Sequence, residues 1–415
     1  MTYPFRYLWW LVTSFRRALR RAPGFVVLVV EGELPPLPDP PRPLWQRFTS
    51  RPRLSLKELG ERLDAIGRDK RIKGVVLHLR PIGVPLAGVE DLRESIAGLR
   101  KSGKRVIAWA PFYTTASYYA ACACDEILMM PTGMVTAMGF AGTGMFLAES
   151  LARVGITADF VQVSPYKTAA DTLTRSSMSN EYREQVTWLL EARHGELVAA
   201  ISDGRHLSTE AATEMVDGSP YGDEAAVAAR AVDRILGEED LAAHLGTGGH
   251  APVTLGTWEQ AKRAMRLPPP SLRRAPNVAL IRIEGTIVDG RSGRLPLTPP
   301  VDIPIVGEDR AGDLTVVQAA RQVAADRRAA AAVLYVNSRG GSSTASEAMR
   351  QALAAVAARK PLVVVMGPVA GSGGYWVATP SSWIVARPST LTGSIGVLSG
   401  KLVTGPLWSK ALVNR

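Results

Sequence analysis

The stretch Leu334–Leu353, LYVNSRGGSSTASEAMRQAL, reads as a buried strand, a glycine-rich turn and a helix. Gly340 and Gly341 reach backbone angles that other residues resist, and they leave N–H groups facing open space near a helix start. Amides so placed can hold a developing oxyanion. Just upstream, DRRAAAAVLYV (326–336) lies over DKRIKGVVLHL (69–79) when the chain is compared with itself at a shift of 257 residues. The match continues without a gap. Glu90 falls on Glu347, Arg93 on Arg350, Pro111 on Pro368, Tyr118 on Tyr375, Ile127 on Ile384, Pro131 on Pro388 and Gly139 on Gly396. Agreement over about 70 positions marks a tandem duplication.

Two strand-like runs open the repeats, APGFVVLVVEGEL from Ala22 and APNVALIRIEGTI from Ala275. Each leads into a Pro-rich loop (PPLPDPPRP, 35–43, and LPLTPPVDIP, 295–304), then a helix-period segment, then a second buried strand. This alternation predicts an α/β fold with a mostly parallel sheet in each copy. The organisation is a basic segment at 1–22, a first repeat over 23–264, a Pro-rich linker at 265–276 (MRLPPPSLRRAP) and a second repeat over 277–415. Helical stretches from Glu181 to about Ser202 and over 208–236 complete the first repeat. By the repeat register the second lacks everything matching Asp159 onward, so an incomplete second domain is expected.

With 46% hydrophobic and 21% charged residues the 415-residue chain is globular in character and has ample core material. A net charge of +11 fits an Arg-rich solvated surface, an anionic membrane or nucleic acid. No zinc-finger spacing, aromatic-basic RNA motif or long Lys/Arg block supports the last, so no nucleic-acid partner is expected. Cys122 and Cys124 are too close for an ordinary disulfide and too few for a zinc site, and read as small buried side chains.

Residues 1–22, MTYPFRYLWWLVTSFRRALRRA, carry five Arg and no acid. The apolar run Tyr7–Val12 falls far short of the roughly 20 residues that a spanning helix needs. Trp9, Trp10 and Phe15 beside an Arg cluster suit a helix lying among anionic headgroups. The competing reading is an amphipathic helix docked on the protein itself.

The two repeats differ around VAGSGGYWVATPSSWIVARPSTLTGSIGV (369–397). Ser372, Gly373 and Gly374 fall on Thr115, Ala116 and Ser117, while Gly340 and Gly341 fall on Gly83 and Val84. Only the second copy thus carries a glycine-flanked serine at a strand-to-helix turn, together with a double glycine upstream. Such a serine is either an exposed nucleophile or a helix N-cap. None of the histidines (His78, His194, His206, His244, His250) has a counterpart near Ser372 in the duplication, so a Ser-His-Asp arrangement is poorly supported. A neutral lysine can serve as base instead. The candidate is Lys167 in VQVSPYKTAADTLTRSSMS (161–179), the only lysine between Lys104 and Lys262. The competing reading is a solvated loop lysine.

Together, NSRGGSSTASEAMR, the serine stretch and YKTAADTLTRSSMS resemble the long, tandem form of the signal peptide peptidase A (protease IV) family, over roughly residues 24 to 400. The resemblance implies two tandem ClpP/crotonase-like domains and a Ser-Lys dyad. Ser372 of the second repeat would be the nucleophile, Lys167 of the first the base, and Gly340 and Gly341 the oxyanion loop. It further implies a membrane-associated homo-oligomer, of a bacterial-type inner membrane, that cleaves hydrophobic peptides such as released signal peptides, with no metal or organic cofactor. One departure is that the family's usual NSPGG reads NSRGG here, which brings the charge of Arg339 close to the proposed site. The rival readings are a catalytically inactive oligomeric scaffold and a crotonase-like acyl-CoA enzyme. The latter would lean on a carboxylate near the oxyanion loop, where Glu347 is the nearby acid.

Overall fold

The computed structural model describes residues 3–39, 53–246, 252–266, 269, 276–294 and 309–411. Most of the expected linker, the loop at 295–304 and His250 lie outside these residues. Two compact units emerge. The first comprises residues 1–139 and 194–275, the second residues 140–193 and 276–415. They cut the chain differently from the repeats, because residues 140–193 belong to the first repeat by register and to the second unit in space.

The first unit contains α1 (Tyr3–Ala18), β1 (Phe25–Gly32), α2 (Leu56–Arg68), β2 (Gly74–Ile82), α3 (Leu86–Lys101), β3 (Arg105–Thr114), α4 (Thr115–Ala121) and β4 (Glu126–Thr136). Strands β1 to β4 pair in order and in parallel, and residues Leu255–Thr257 extend the sheet beyond β1. The first six residues of β2, GVVLHL, are all buried. A continuous apolar run of this kind suits a parallel strand covered on both faces. Helix α2 buries Leu56, Leu59, Leu63 and Ile66, at the spacing of one helical face. Its start is fixed by a capping box in which Glu58 N donates to Ser55 Oγ and Ser55 N donates to Glu58 Oε2, both at 3.1 Å. Cys122 and Cys124 are free and buried, and burial pushes the Cys122 thiol up to about 12, which makes it unreactive.

In the second unit the main elements are β5 (Thr157–Gln162), α5 (Asn180–Arg205, to Arg193 in this unit), β6 (Asn277–Glu284), α6 (Asp313–Ala325), β7 (Ala329–Ser338), α7 (Ser343–Ala357), β8 (Leu362–Gly371), α8 (Gly373–Trp376), β9 (Trp383–Val385), β10 (Leu391–Gly393) and β11 (Leu398–Val403). A parallel sheet runs β9-β8-β7-β6, with β10 also beside β8. Its core holds Ile281, Leu334, Val336, Met349, Leu353 and Val364. The duplication is visible in the elements themselves. Shifting α2 and β3 by 257 residues lands on α6 and β8 end to end. Both copies are α/β with parallel sheets, as the alternation of strand and helix predicts.

One pairing has no counterpart in the repeat pattern. Strand β5 runs antiparallel to β11, from Thr157 opposite Val403 to Gln162 opposite Leu398, and Val163 N continues the ladder to Val397 O at 3.0 Å. A strand of the first repeat is thereby held against a strand of the second within one compact unit.

Candidate active site

Ser372 sits where β8 ends and α8 begins, with φ 53° and ψ −116°. A non-glycine residue at such angles stores about 1–3 kcal/mol of strain, which its surroundings must hold in place. They do so on both sides. Ser372 N donates to Gly393 O at 2.8 Å, and Trp376 N donates to Ser372 O at 2.9 Å. The serine occupies the N-cap position of α8, yet its side chain makes no capping hydrogen bond. Of the two readings left open by the sequence, the cap is therefore not the one adopted.

Close packing explains the small residues around it. A Cβ on Gly374 would stand 2.5 Å from Ser338 O, one on Gly373 2.5 Å from Ser346 Oγ, and one on Gly340 2.5 Å from Gly373 N. The turn between β7 and α7 is thus pressed directly onto the serine turn, and only hydrogen fits between them. Gly340 (φ 92°) and Gly341 (φ 155°) also need backbone angles that side chains disfavour.

The two amides of the glycine pair differ in their partners. Gly340 N donates to Ser338 Oγ at 3.0 Å, so this amide already has an acceptor. Gly341 does line the cavity around Ser372, and so does Gly373. A Cβ on Gly373 would lie 3.4 Å from Gly341 N, so the two residues adjoin. Neither amide donates to an acceptor among the described residues. At the cavity, the amides of Gly341 and Gly373 are thus left without an acceptor.

Lys167 follows β5 by five residues and is 7% exposed, not a solvated loop lysine. Its Nζ stands 3.0 Å from Ser372 Oγ and 3.0 Å from Ser394 Oγ, and it donates to Ser394 O. Burial pushes its pKa down, because desolvation penalises the ammonium form. No Asp or Glu lines the cavity among the described residues, so no counter-charge restores the lost solvation. Two N–H groups on Ser394 leave the lone pair of a neutral amine for the hydroxyl of Ser372. Ser394 is the residue that sequence reasoning missed. It lies between glycines in TGSIGV and adopts φ 48°, so flanking glycines were a usable signal.

The cavity measures about 910 Å³. Tyr375, Trp376, Ile395, Val397 and Leu398 give it apolar walls, and Arg339 lies at its lining as well. Glu347 is not part of it. The Glu347 carboxylate pairs with Arg350 at 2.7 Å, which holds its pKa down to about 2, so it remains an anion locked in an ion pair. His78, His194, His206 and His244 also lie away from the cavity lining. Among the described residues no group of three or more His, Cys, Asp or Glu side chains could hold a metal ion.

The sequence profile of peptidase family S49 matches residues 98–250 and 354–415. Among curated relatives, the chain is 28% identical over 376 residues to a chloroplastic serine protease SPPA of Arabidopsis thaliana, covering 90% of this chain and 54% of that one. It is 29% identical over 348 residues to Protease 4 of Haemophilus influenzae (80% and 54%), and 34% identical over 344 residues to Protease 4 of Salmonella typhi (79% and 53%). The chain spans about half the length of the curated relatives it matches. Among solved structures, an enoyl-CoA hydratase/isomerase family protein from Silicibacter pomeroyi matches at 21% identity over 46% of this chain and 67% of that one. Its TM-score of 0.26 is too low to carry weight.

Proposed function

Because the chain belongs to peptidase family S49, we propose that it is a membrane-associated serine endopeptidase that attacks hydrophobic peptides with Ser372, using Lys167 as base. Its class is that of serine-type peptidases. The observation that carries the residue roles is the 3.0 Å approach of Lys167 Nζ to Ser372 Oγ inside a cavity with no carboxylate among its described lining residues.

The reaction follows from this arrangement. As Oγ attacks the peptide carbonyl carbon, the lone pair on neutral Lys167 takes the hydroxyl proton. The carbonyl π pair moves to oxygen, and the amides of Gly341 and Gly373 stabilise the resulting anion. When the tetrahedral species collapses, the C–N bond breaks and Lys167 returns the proton to the departing amine. Water then attacks the acyl-serine ester as the same amine takes its proton, and collapse of this second tetrahedral species breaks the ester C–O bond, releases the acid and returns the proton to Ser372 Oγ. Ser394 keeps Nζ aimed at the hydroxyl throughout and is a positioning residue.

Apolar cavity walls support hydrophobic peptides, released signal peptides among them, as substrates. The amino-terminal helix supports membrane association. Arg17 Nη1 donates to Lys262 O at 3.2 Å, and Arg71 Nη1 to Ala18 O and Arg20 O, each at 3.2 Å. These bonds tether the end of α1, while Phe5, Leu8, Trp9 and Phe15 stand exposed beside Arg6 and Arg16. No helix among the described residues is long and apolar enough to cross a membrane, so the helix is read as lying in the interface. Assembly into a homo-oligomer belongs to the same proposal.

The test is covalent labelling of Ser372 by a fluorophosphonate, with hydrolysis of an apolar fluorogenic peptide measured alongside. Ser372→Ala and Lys167→Ala should each abolish hydrolysis while the protein stays folded by circular dichroism. Full activity in either variant would end the assignment, and an unlabelled, inactive wild type would favour the scaffold reading.

A further inference from the structure

We propose that Arg339 makes this active site selective for peptides carrying a carboxylate near the scissile bond. The inference rests on the peptidase reading and adds a substrate chemistry to it. Arg339 is exposed, lines the same cavity as Lys167 and Ser372, and precedes Gly341 by two residues. It forms no salt bridge with an acid among the described residues, whereas Arg71 pairs with Asp69 and Arg350 with Glu347. The described lining residues include no Asp or Glu, and their other basic member, Lys167, is shifted toward the neutral form. Among the described lining residues Arg339 therefore supplies the permanent charge, the rest, Lys167 aside, being apolar or hydroxyl-bearing side chains and glycines.

A guanidinium with no acid partner among the described residues offers a fork of N–H donors that matches a carboxylate, and its exposure to solvent keeps the attraction modest. A neutral or cationic side chain at that position gains nothing from it. The carboxylate has two possible sources, an Asp or Glu side chain or the carboxyl terminus of a short peptide. Both present the same chemistry to Arg339.

The experiment compares kcat/KM for apolar fluorogenic peptides that differ by Glu against Gln at single positions on either side of the cleaved bond, and for peptides ending in a free acid against an amide. Wild type should favour the carboxylate form by about fivefold in one of these series, and the series that responds identifies the source. Raising ionic strength should shrink the preference. Arg339→Gln should remove it, and Arg339→Lys should restore part of it. Equal rates for every carboxylate and amide pair in wild type, or a preference that survives in Arg339→Gln, would overturn the assignment while leaving the dyad intact. Absence of hydrolysis and of Ser372 labelling would overturn the peptidase reading and this selectivity with it.

Discussion

Lys167 and Ser372 are 205 residues apart in sequence, yet their side chains meet at 3.0 Å. The two-stranded pairing of β5 with β11 makes this possible. It brings the loop after β5, which holds Lys167, beside the loop before β11, which holds Ser394 to Gly396. Side chains from the two sequence repeats thus meet within one compact unit.

Ser394 should matter through Lys167 and not through substrate. Ser394→Ala removes one of the hydrogen bonds that aim Nζ, so kcat should fall by about tenfold with little change in KM. The carbonyl of Ser394 still accepts from Nζ in that variant, which keeps the loss partial. Steady-state kinetics with a fluorogenic peptide would check the split, and a change confined to KM would assign Ser394 to substrate binding instead.

Gly373→Ala tests the proposed oxyanion amides. Its Cβ would meet Ser346 Oγ at 2.5 Å and displace the amide that adjoins Gly341. A drop in kcat of about 10²-fold is expected, the usual scale for one lost oxyanion donor. Adding Ser346→Ala makes room for the methyl and should recover part of the rate. If the double variant is no faster than the single one, crowding against Ser346 is not the cause.

The exposed aromatic residues of α1 predict binding to lipid. Replacing Trp9 and Phe15 with Ala should weaken association with phosphatidylglycerol-containing vesicles by about tenfold or more, given roughly 1.5–3 kcal/mol for each large apolar side chain fully buried. Binding should also fall with salt, because Arg6, Arg16 and their neighbours act through the surface potential. Vesicle sedimentation at two salt concentrations measures both effects. Unaltered binding of the double variant would remove α1 from the membrane account.

Much of this architecture was legible in the chain. The register of 257 residues located α6 and β8 from α2 and β3, because buried parallel strands and amphipathic helices write their burial directly into hydrophobic periodicity. Ser372 and Lys167 stood out by residue type against their surroundings. What escaped depended on contacts between distant segments. Strand β5 is largely exposed and carries no continuous apolar run, so nothing in ITADFVQV announces its pairing with β11. The assignment of residues 140–193 to the second compact unit was hidden for the same reason. The amide of Gly340 is taken up by Ser338, two residues earlier, in a local turn that a pair of adjacent glycines does not reveal.

The central claim is that an uncharged amine at Lys167 activates the hydroxyl of Ser372. Burial lowers the Lys167 pKa, so the reactive, deprotonated form gains population as pH rises through a midpoint below the ordinary lysine value of 10.5. The rate of Ser372 phosphonylation by a fluorophosphonate, measured against pH, should therefore climb through a single ionisation below 10.5 in wild type and lose that step in Lys167→Ala. A rate that rises only near 10.5, or that keeps its pH dependence without Lys167, would contradict the account.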